Sequence, residues 1–470
     1  MDTTIHTSIF HKFVKSYDDK TYPINNTIKS IMFNNIDYLS NLNKSNKSRP
    51  TVLENVERTI LCGSVFLGYN LYECPNCKKE SLMPRRCHSR FCNSCGIKYA
   101  KQLAAKVSSF CLNTVHRHIV FTIPQELRNW FLQDRSRLDL LFIASRNTIS
   151  SLVNDKLYRK TKKLGLKNTR YLYKNYRGAK DFGMIATLHT FGRDLKWNPH
   201  IHSLVPEMIY DKKNDIITPF THFNYPKLRK TFMFELLRLI DEEVDYSFYK
   251  EKSELYRKYK DGFYVYAKPM EEFEEFSKKD HSKNINACIS YCMRYAARPA
   301  MAESRIDNYD IDKQTVTWHY TDHKTDELIV VCDDVIDFIH KLIIHIPDKY
   351  FNCVRYYGFY ANAASSTLDR VHLLLGMKQK KDFRKAERKA KRNRALNKLK
   401  YRTHLIDSFQ RDPLKCSCGH YMRIIYIFNP LEGISNDGIF RKNCINEMQK
   451  MQIPRAGPSM GTGRTRKLRC

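Results

Sequence analysis

The chain has 470 residues, of which 42% are apolar and 12% aromatic, and this composition is enough to bury at least one full core. Its 81 Lys and Arg residues against 49 acidic residues give a formal net charge of +32, which would self-repel strongly without a polyanionic partner. A disordered chain is therefore excluded, and nucleic acid is favoured as the partner over a membrane surface or a ribosome-associated role.

The sequence also predicts the compartment. No stretch approaches the roughly 18 apolar residues that a membrane span needs, and Met1 to Phe13 lacks the apolar centre of a signal peptide. We therefore expect a cytoplasmic protein associated with the nucleoid, with no membrane partner. Fifteen cysteines in a reducing compartment indicate metal binding and not disulfides, because five of them fall within one short window.

Apolar residues at helical spacing predict a helical arm at the start of the chain, in Ile24 to Leu39 and again in Val52 to Leu67. After the cysteine-rich window, Lys98 to Val115 returns to helical spacing. We assign residues 1–105 to a helical arm and a small zinc-binding domain.

Two Cys-x2-Cys pairs, separated by fourteen residues, predict a structural zinc site because two tight turns can present four thiolates at tetrahedral corners. The four thiols are Cys74, Cys77, Cys92 and Cys95. Cys87 and His88 lie between the pairs, so one of them could replace a member of the outer set. Buried or redox-active thiols without metal are the alternative. Three arginines around this knuckle predict a DNA-facing surface: Arg85, Arg86 and Arg90.

A second cysteine cluster lies near the end of the chain and is a weaker zinc signal. Cys416, Cys418 and His420 contain a Cys-x-Cys spacing that cannot form the usual knuckle turn. Partners such as Cys444 would have to come from a distance. We assign 376–470 to a basic linker, a small C-terminal module and a disordered tail.

The middle of the chain predicts one sheet with flanking helices. Residues 117–124, 183–190 and 200–205 are β-branched and aromatic, whereas 127–163 has helical spacing. Further strands are expected at Thr315 to Tyr320 and Glu327 to Val331, and a helix at Asn284 to Arg298. No glycine-rich phosphate turn is present, so we expect no nucleotide cofactor. The fold class is α+β, with a central antiparallel sheet in a catalytic domain over 106–375.

His200 and His202 alternate along a predicted strand, so both imidazoles can reach one metal ion from the same face while Ile201 points into the core. His116-Arg117-His118 is a second such triplet and the poorer metal platform, although His118 could line the site from a neighbouring strand. The turn Trp197 to Pro199 folds His189 back towards His202. His189 is thus the first candidate for a third ligand, and a packed strand histidine is the alternative.

Tyr291 and Tyr295 lie four residues apart in the predicted helix, so both phenols project from one face. Such a pair is ordinarily core packing, but Arg294 and Arg298 make this helix basic, as suits an approach to phosphate. A phenol with a pKa of about 10 is a poor nucleophile at neutral pH, and a metal ion that polarises the scissile phosphate supplies the missing activation.

Several blocks together resemble the two-tyrosine rolling-circle insertion-sequence transposases of the HUH class, in that family's order. They are CPNC…CHSRFCNSC, RHIVFTIP, LHTFGRDLKWNPHIHSLV, YCMRY, HIPDKYFNCVRYYGFYAN and DPLKCSCG. The resemblance implies an HUH-type catalytic domain in which His200 and His202 bind Mg²⁺ or Mn²⁺ and Tyr291 and Tyr295 are the nucleophiles. It also implies single-stranded DNA at element ends and target as the substrate, and transposition through a 5′-phosphotyrosine.

Two departures from the family's pattern and three alternative functions remain. Arg193 stands where glutamine is expected, and the terminal cysteine module lacks a residue between its cysteines. The runner-up enzyme is a rolling-circle replication initiator, because histidines precede tyrosines in both classes. A zinc-dependent DNA-binding regulator without catalysis would bind without a covalent adduct. A metal-dependent nuclease would hydrolyse DNA without either tyrosine.

Overall fold

A computed structural model describes residues 27–155, 180–244, 248–267, 299–322, 325–378, 406, 412 and 414–428. Its helices are α1 (Ile28–Asn34), α2 (Ile36–Lys44), α3 (Pro50–Ile60), α4 (Asn93–Phe110), α5 (Gln125–Gln133), α6 (Leu138–Val153), α7 (Tyr225–Glu243), α8 (Tyr249–Lys258), α9 (Val335–Ile343) and α10 (Ser365–Lys378). Its strands are β1 (Tyr69–Glu73), β2 (Glu80–Pro84), β3 (His116–Thr122), β4 (Lys180–Asp181), β5 (Gly183–Phe191), β6 (Trp197–Pro206), β7 (Met208–Asp211), β8 (Ile216–Pro219), β9 (Val265–Tyr266), β10 (Ile306–Asp310), β11 (Thr315–Thr321), β12 (Leu328–Asp334), β13 (Val354–Gly358) and β14 (Arg423–Phe428).

The α+β prediction is confirmed, because helices mix with antiparallel sheets throughout these residues. The helical arm is present as α1 to α3, and the strands predicted around the two histidine triplets are β3, β5 and β6. The predicted strand pair is β11 and β12, which pair antiparallel. The predicted helix Asn284 to Arg298 lies outside the described residues. No described helix is long and apolar enough to cross a membrane.

The chain forms two compact units. In the first, the described residues are 61–86 and 416–428, and they build a three-stranded sheet in the order β14-β1-β2. Strands β1 and β2 form a hairpin in which Glu73 lies opposite Glu80, so the residues between them make the turn. Strand β14 pairs antiparallel with the other edge of β1.

The second unit contains 27–60 and the described residues from Cys87 to Lys415. Its central sheet has the order β13-β5-β6-β3-β9, and every neighbouring pair is antiparallel. Antiparallel pairing between β5 and β6 follows from the short turn that joins them, which contains Gly192 and the left-handed Leu195 (φ 60°).

Side chains alternate between the two faces of this sheet, and each face has its own core. On one face, Phe121, Leu188 and Ile201 pack in the core that also contains residues of α5, α6 and α7. On the other face, Ile185 and Leu204 pack with residues of α4 and α10. The central strands are thus covered on both sides and give a rigid platform.

A separate three-stranded sheet, β10-β11-β12, packs against α9 through Trp318, which is 1% exposed and has its ring 6.3 Å from that of Phe338. Asp334 caps the start of α9 by accepting a hydrogen bond from the Ile336 N–H. This helix ends at Ile343, just before His345.

Candidate active site and metal centres

The predicted metal-binding histidines lie on one face of the central sheet. His189 on β5 is directly opposite His200 on β6, and His202 lies two residues further along the same face. The ring centroids are 4.3 Å apart for His189 and His202 and 4.8 Å apart for His200 and His202. One nitrogen from each of the three lies within 4.8 Å of the others. Ile201 is fully buried in the opposite core, as predicted.

Hydrogen bonds fix the orientation of the two histidines on β6. The Nδ1 of His200 lies 2.6 Å from the Asn198 carbonyl oxygen, so it donates there and leaves Nε2 free of a proton. The Nδ1 of His202 lies 2.8 Å from Nε2 of His118, and the two rings stack at 5.1 Å. In the tautomer in which His202 Nδ1 donates to His118, Nε2 of His202 carries no proton and can bind a metal ion. His118 therefore supports the site from strand β3.

Burial keeps these imidazoles neutral. Desolvation lowers the pKa of His200 and lowers that of His202 well below its usual range. Burial, with a smaller contribution from the nearby His200, lowers the pKa of His118 to about 4. A neutral imidazole is the form that binds a metal ion, so the donor set is ready at neutral pH.

A pocket opens beside these histidines. His189 forms part of its wall, together with Arg90, Arg135 and the residues Pro299 and Ala300. Burial lowers the pKa of Arg135 to about 9, which leaves the guanidinium charged at neutral pH. The pocket wall thus combines one of the three clustered histidines with two cations and the carboxylate of Asp348, which is itself paired with Arg49. The two guanidinium groups suit a phosphodiester.

Arg90, one of the three arginines predicted to face DNA, reaches this pocket because it lies just before α4. A Cβ added at Gly96 in the first turn of that helix would lie 2.8 Å from the Pro299 ring, so Pro299 packs directly on the helix. Arg85 and Arg86 belong to the first unit, and both are half-buried. Their contact with DNA stays a prediction.

His345 and Arg135 also line the pocket, and neither was predicted from the sequence. His345 donates from Nε2 to the Leu195 carbonyl (2.9 Å) and accepts from the Thr190 hydroxyl (3.1 Å). Arg135 lies 4.6 Å over the Trp197 ring and donates to the Ile346 carbonyl at 3.3 Å. The block HIPDKYF contained the signal for His345.

Arg193 does not reach the histidines through its side chain, which donates to the carbonyl oxygen of Thr321 at 3.0 Å. This position, where glutamine was expected, therefore links the β5–β6 turn to β11. His189 is the third donor that the sheet register places with the histidine pair. Tyr291, Tyr295, Arg294 and Arg298 lie outside the described residues, so their roles stay predictions.

The predicted zinc ligands are divided between two groups, which differs from the single outer set expected. Cys74 and Cys77 gather with Cys416 and Cys418 in the first unit. Cys87, Cys92 and Cys95 gather in the second unit, where the Sγ atoms of Cys87 and Cys95 are 3.6 Å apart. The physical reason is that strand β2 separates the two sets of cysteines along the chain. The turn with Cys74 and Cys77 is followed by the five residues of β2, which span roughly 17 Å, before the chain continues towards Cys87.

Both groups fit structural zinc by the chemistry of their donors, because clustered thiolates are the ligands that zinc prefers. The backbone N–H of His420 and the nearby Cys74 thiol lower the pKa of Cys418, which favours the thiolate form that zinc binds.

Fold and site together define a protein with thiolate zinc sites and a sheet-borne histidine cluster in a basic pocket. Two family models match it: a "Transposase zinc-binding domain" at residues 35–123 and a "Putative transposase" at residues 183–367. Together they cover more than half of the chain, and the second model includes strands β5 and β6, which carry His189, His200 and His202. The class is therefore that of DNA transposases with a zinc-binding domain.

Two curated relatives narrow the class. The chain is 28% identical over 346 residues to the transposase for insertion sequence element IS801 of Pseudomonas savastanoi pv. phaseolicola, covering 70% of this chain and 75% of that protein. It is 25% identical over 347 residues to the putative transposase y4qJ of Sinorhizobium fredii (strain NBRC 101917 / NGR234), covering 70% and 81%. No solved structure matches. The chain is thus similar to insertion-sequence transposases over 70% of its length, and the two family models place a transposase zinc-binding domain before the transposase domain.

Proposed function

We propose that this transposase nicks and rejoins single-stranded DNA through a 5′-phosphotyrosine, with Tyr291 and Tyr295 as nucleophiles and a divalent metal ion held by His189, His200 and His202. The observation that carries the proposal is the pocket in which His189 meets Pro299 and Ala300. Tyr295 is four residues before Pro299, so the extended chain can separate them by at most about 14 Å. The length of the chain between Tyr295 and Pro299 therefore allows Tyr295 to act at the histidines.

The donor set supports a transition-metal ion at this site. Three imidazoles present nitrogen, whereas Mg²⁺ prefers oxygen ligands and keeps several waters. Mn²⁺ accepts both, so it suits this set better than Mg²⁺. When bound, the ion would polarise a non-bridging oxygen of the scissile phosphate and stabilise the charge that develops there.

The chain's own residues would perform the remaining steps. The tyrosine Oη attacks phosphorus, loses its proton, and becomes bonded to the 5′-phosphate, while the leaving 3′-oxygen gains a proton. Arg90 and Arg135 lie where they can neutralise the phosphate in the pocket. The tyrosyl ester conserves the energy of the broken bond, so attack by a 3′-hydroxyl restores the phosphodiester without ATP.

Two tyrosines allow two successive cleavages, so one DNA end stays covalently held while the other is exchanged. The formal charge of +32 supports binding to the DNA backbone, and this binding should weaken steeply with salt. The strands joined in this way would be the ends of the element and its target.

The test is a covalent-adduct assay with the full chain and Mn²⁺. Labelled single-stranded oligonucleotides that tile both strands of the DNA flanking the coding sequence are incubated with the protein, and denaturing gels detect protein–DNA adducts. We expect an adduct with the wild type and none with the double variant Tyr291→Phe, Tyr295→Phe. Each single variant should still form an adduct but fail to exchange two ends.

Tyr249→Phe is the matched control, because this tyrosine is 72% exposed on α8 and should leave the adduct unchanged. Cleavage that persists without an adduct in the double variant would overturn the proposal and identify a hydrolytic nuclease. Binding without any cleavage by the wild type, across all oligonucleotides, would identify a DNA-binding regulator.

A further inference from the structure

We propose that Cys74, Cys77, Cys416 and Cys418 bind one Zn²⁺ ion that fastens the C-terminal strand β14 to the β1–β2 hairpin. The ligands come in two pairs from opposite ends of the chain, more than 300 residues apart in sequence. This site is independent of the tyrosine chemistry proposed above, and its test needs no DNA.

The distances between the sulfur atoms are those of ligands around one ion. The Sγ of Cys74 lies 3.4 Å from that of Cys418, and the Sγ of Cys77 lies 3.4 Å from that of Cys416. All four sulfurs are within 4.8 Å of one another. Four thiolates at about 2.3 Å from zinc stand about 3.8 Å apart in a tetrahedron. A disulfide would need about 2.0 Å, so the four thiols are not bonded to one another in pairs.

Each pair of thiols belongs to a turn whose backbone is itself hydrogen-bonded. In the hairpin turn, the Cys74 N–H donates to the Lys79 carbonyl and the Lys78 N–H donates to the Cys74 carbonyl. In the C-terminal turn, the Cys416 N–H donates to the His420 carbonyl. Two preformed turns therefore hold the sulfurs in place, and little ordering is left for the ion to impose.

The Cys-x-Cys spacing is compatible with this arrangement because the C-terminal turn contains a left-handed glycine. Gly419 has φ +90°, and its N–H donates to the Cys416 carbonyl at 2.9 Å. The glycine that closes this turn follows Cys418 and does not lie between the two cysteines. A spacing shorter by one residue can thus still direct both sulfurs towards the hairpin.

Strand β14 needs such a fastening because its side chains bury little within the described residues. Ile424 is 46% exposed and Ile427 is 55% exposed, and five of the six strand residues are exposed. Among the described residues, β14 is joined to β1 by the backbone ladder, by the ion pair between Arg423 and Glu73 at 3.0 Å, and by ring contacts of Tyr69 with Phe428 at 5.2 Å and with Tyr426 at 6.2 Å. A three-stranded sheet of this size gains most of its stability from such a metal staple.

The first experiment uses the wild-type full chain and maps the reactivity of its cysteines. Cys77, Cys418 and Cys332 are all exposed, but Cys332 on β12 belongs to neither thiol group and is the internal control. N-ethylmaleimide is applied to the zinc-loaded protein with and without a chelator, and each site is quantified by mass spectrometry. We expect Cys77 and Cys418 to react at least about tenfold faster after chelation, and Cys332 equally in both conditions.

The second experiment counts bound zinc. The double variant Cys416→Ser, Cys418→Ser should hold one zinc ion per chain fewer than the wild type, whereas Cys332→Ser should hold the same number. Equal alkylation of Cys77, Cys418 and Cys332 in the zinc-loaded wild type would overturn the proposal. So would an unchanged zinc count in the double variant, and if that variant fails to fold, the wild-type alkylation map alone decides.

Discussion

His118 should set the metal affinity of the histidine site although it is not one of the three donors. Its Nε2 lies 2.8 Å from Nδ1 of His202, and it is only 6% exposed. Replacing it with alanine removes the hydrogen-bond partner of Nδ1 of His202, which holds that ring in place. A buried N–H that loses its partner costs about 1–3 kcal/mol, and supporting residues of metal ligands typically change affinity by about 10–100-fold.

We therefore expect His118→Ala to raise the dissociation constant for Mn²⁺ by about 10–100-fold, measured on the full chain by calorimetry or by the electron paramagnetic resonance of free Mn²⁺. His118→Gln keeps an acceptor oxygen and should recover part of the affinity. His319→Ala on β11 is the control, because His319 contacts Asp307 in the other sheet. A dissociation constant for His118→Ala within about twofold of wild type would refute this reasoning.

Three further predictions follow from the same structure. Mn²⁺ should support adduct formation at lower concentration than Mg²⁺, and equal or better activity with Mg²⁺ would contradict the inference from three nitrogen donors. Burial lowers the pKa of His345 to about 4, so its contribution to stability is present above its unfolded pKa of about 6.5 and is lost as the pH falls towards 4. In urea titrations, the free energy of unfolding of the wild type should therefore fall by about 2 kcal/mol more than that of His345→Gln between about pH 7.5 and pH 5. Equal losses in the two proteins would contradict this prediction. Gly358→Ala should destabilise the fold by at least about 2 kcal/mol, since φ is +60° and the new Cβ would meet the Phe182 carbonyl oxygen. In Gly63→Ala the new Cβ faces the flexible end of the Arg86 side chain, so the loss of stability should be smaller. An equal loss in both variants would show that the backbone strain, and not the neighbouring atom, determines the effect.

Local patterns predicted the histidine platform because its parts are close in sequence. The alternation of His200, Ile201 and His202 on a strand determines which side chains face the core, and the short turn determines that β5 returns beside β6. The exact opposition of His189 and His200 depends on the register, which the turn residues impose. The role of His118 needed only the further pairing of β3 with β6.

The thiol groups could not be assigned from spacing because both Cys-x2-Cys pairs satisfy the same local rule. Only the β1–β2 pairing shows that Cys74 and Cys77 sit in a hairpin turn, and only the pairing of β14 with β1 brings Cys416 to them. Pairings over such a distance are decided by tertiary packing, which no local pattern contains. His345 was missed for a related reason: its partners, Thr190 and Leu195, lie some 150 residues earlier.

The second thiol group stands in a different relation to the active site from the first. Cys92 precedes α4 and Cys95 lies in its first turn, and that same turn contains Gly96, on which Pro299 packs. Arg90, between Cys87 and Cys92, lines the pocket with His189. A metal ion at Cys87, Cys92 and Cys95 would thus fix the start of α4 and the part of the pocket wall that contains Arg90 and Pro299. The group completed by Cys416 and Cys418 belongs to the other compact unit, where a metal ion would stabilise the pairing of β14 with β1.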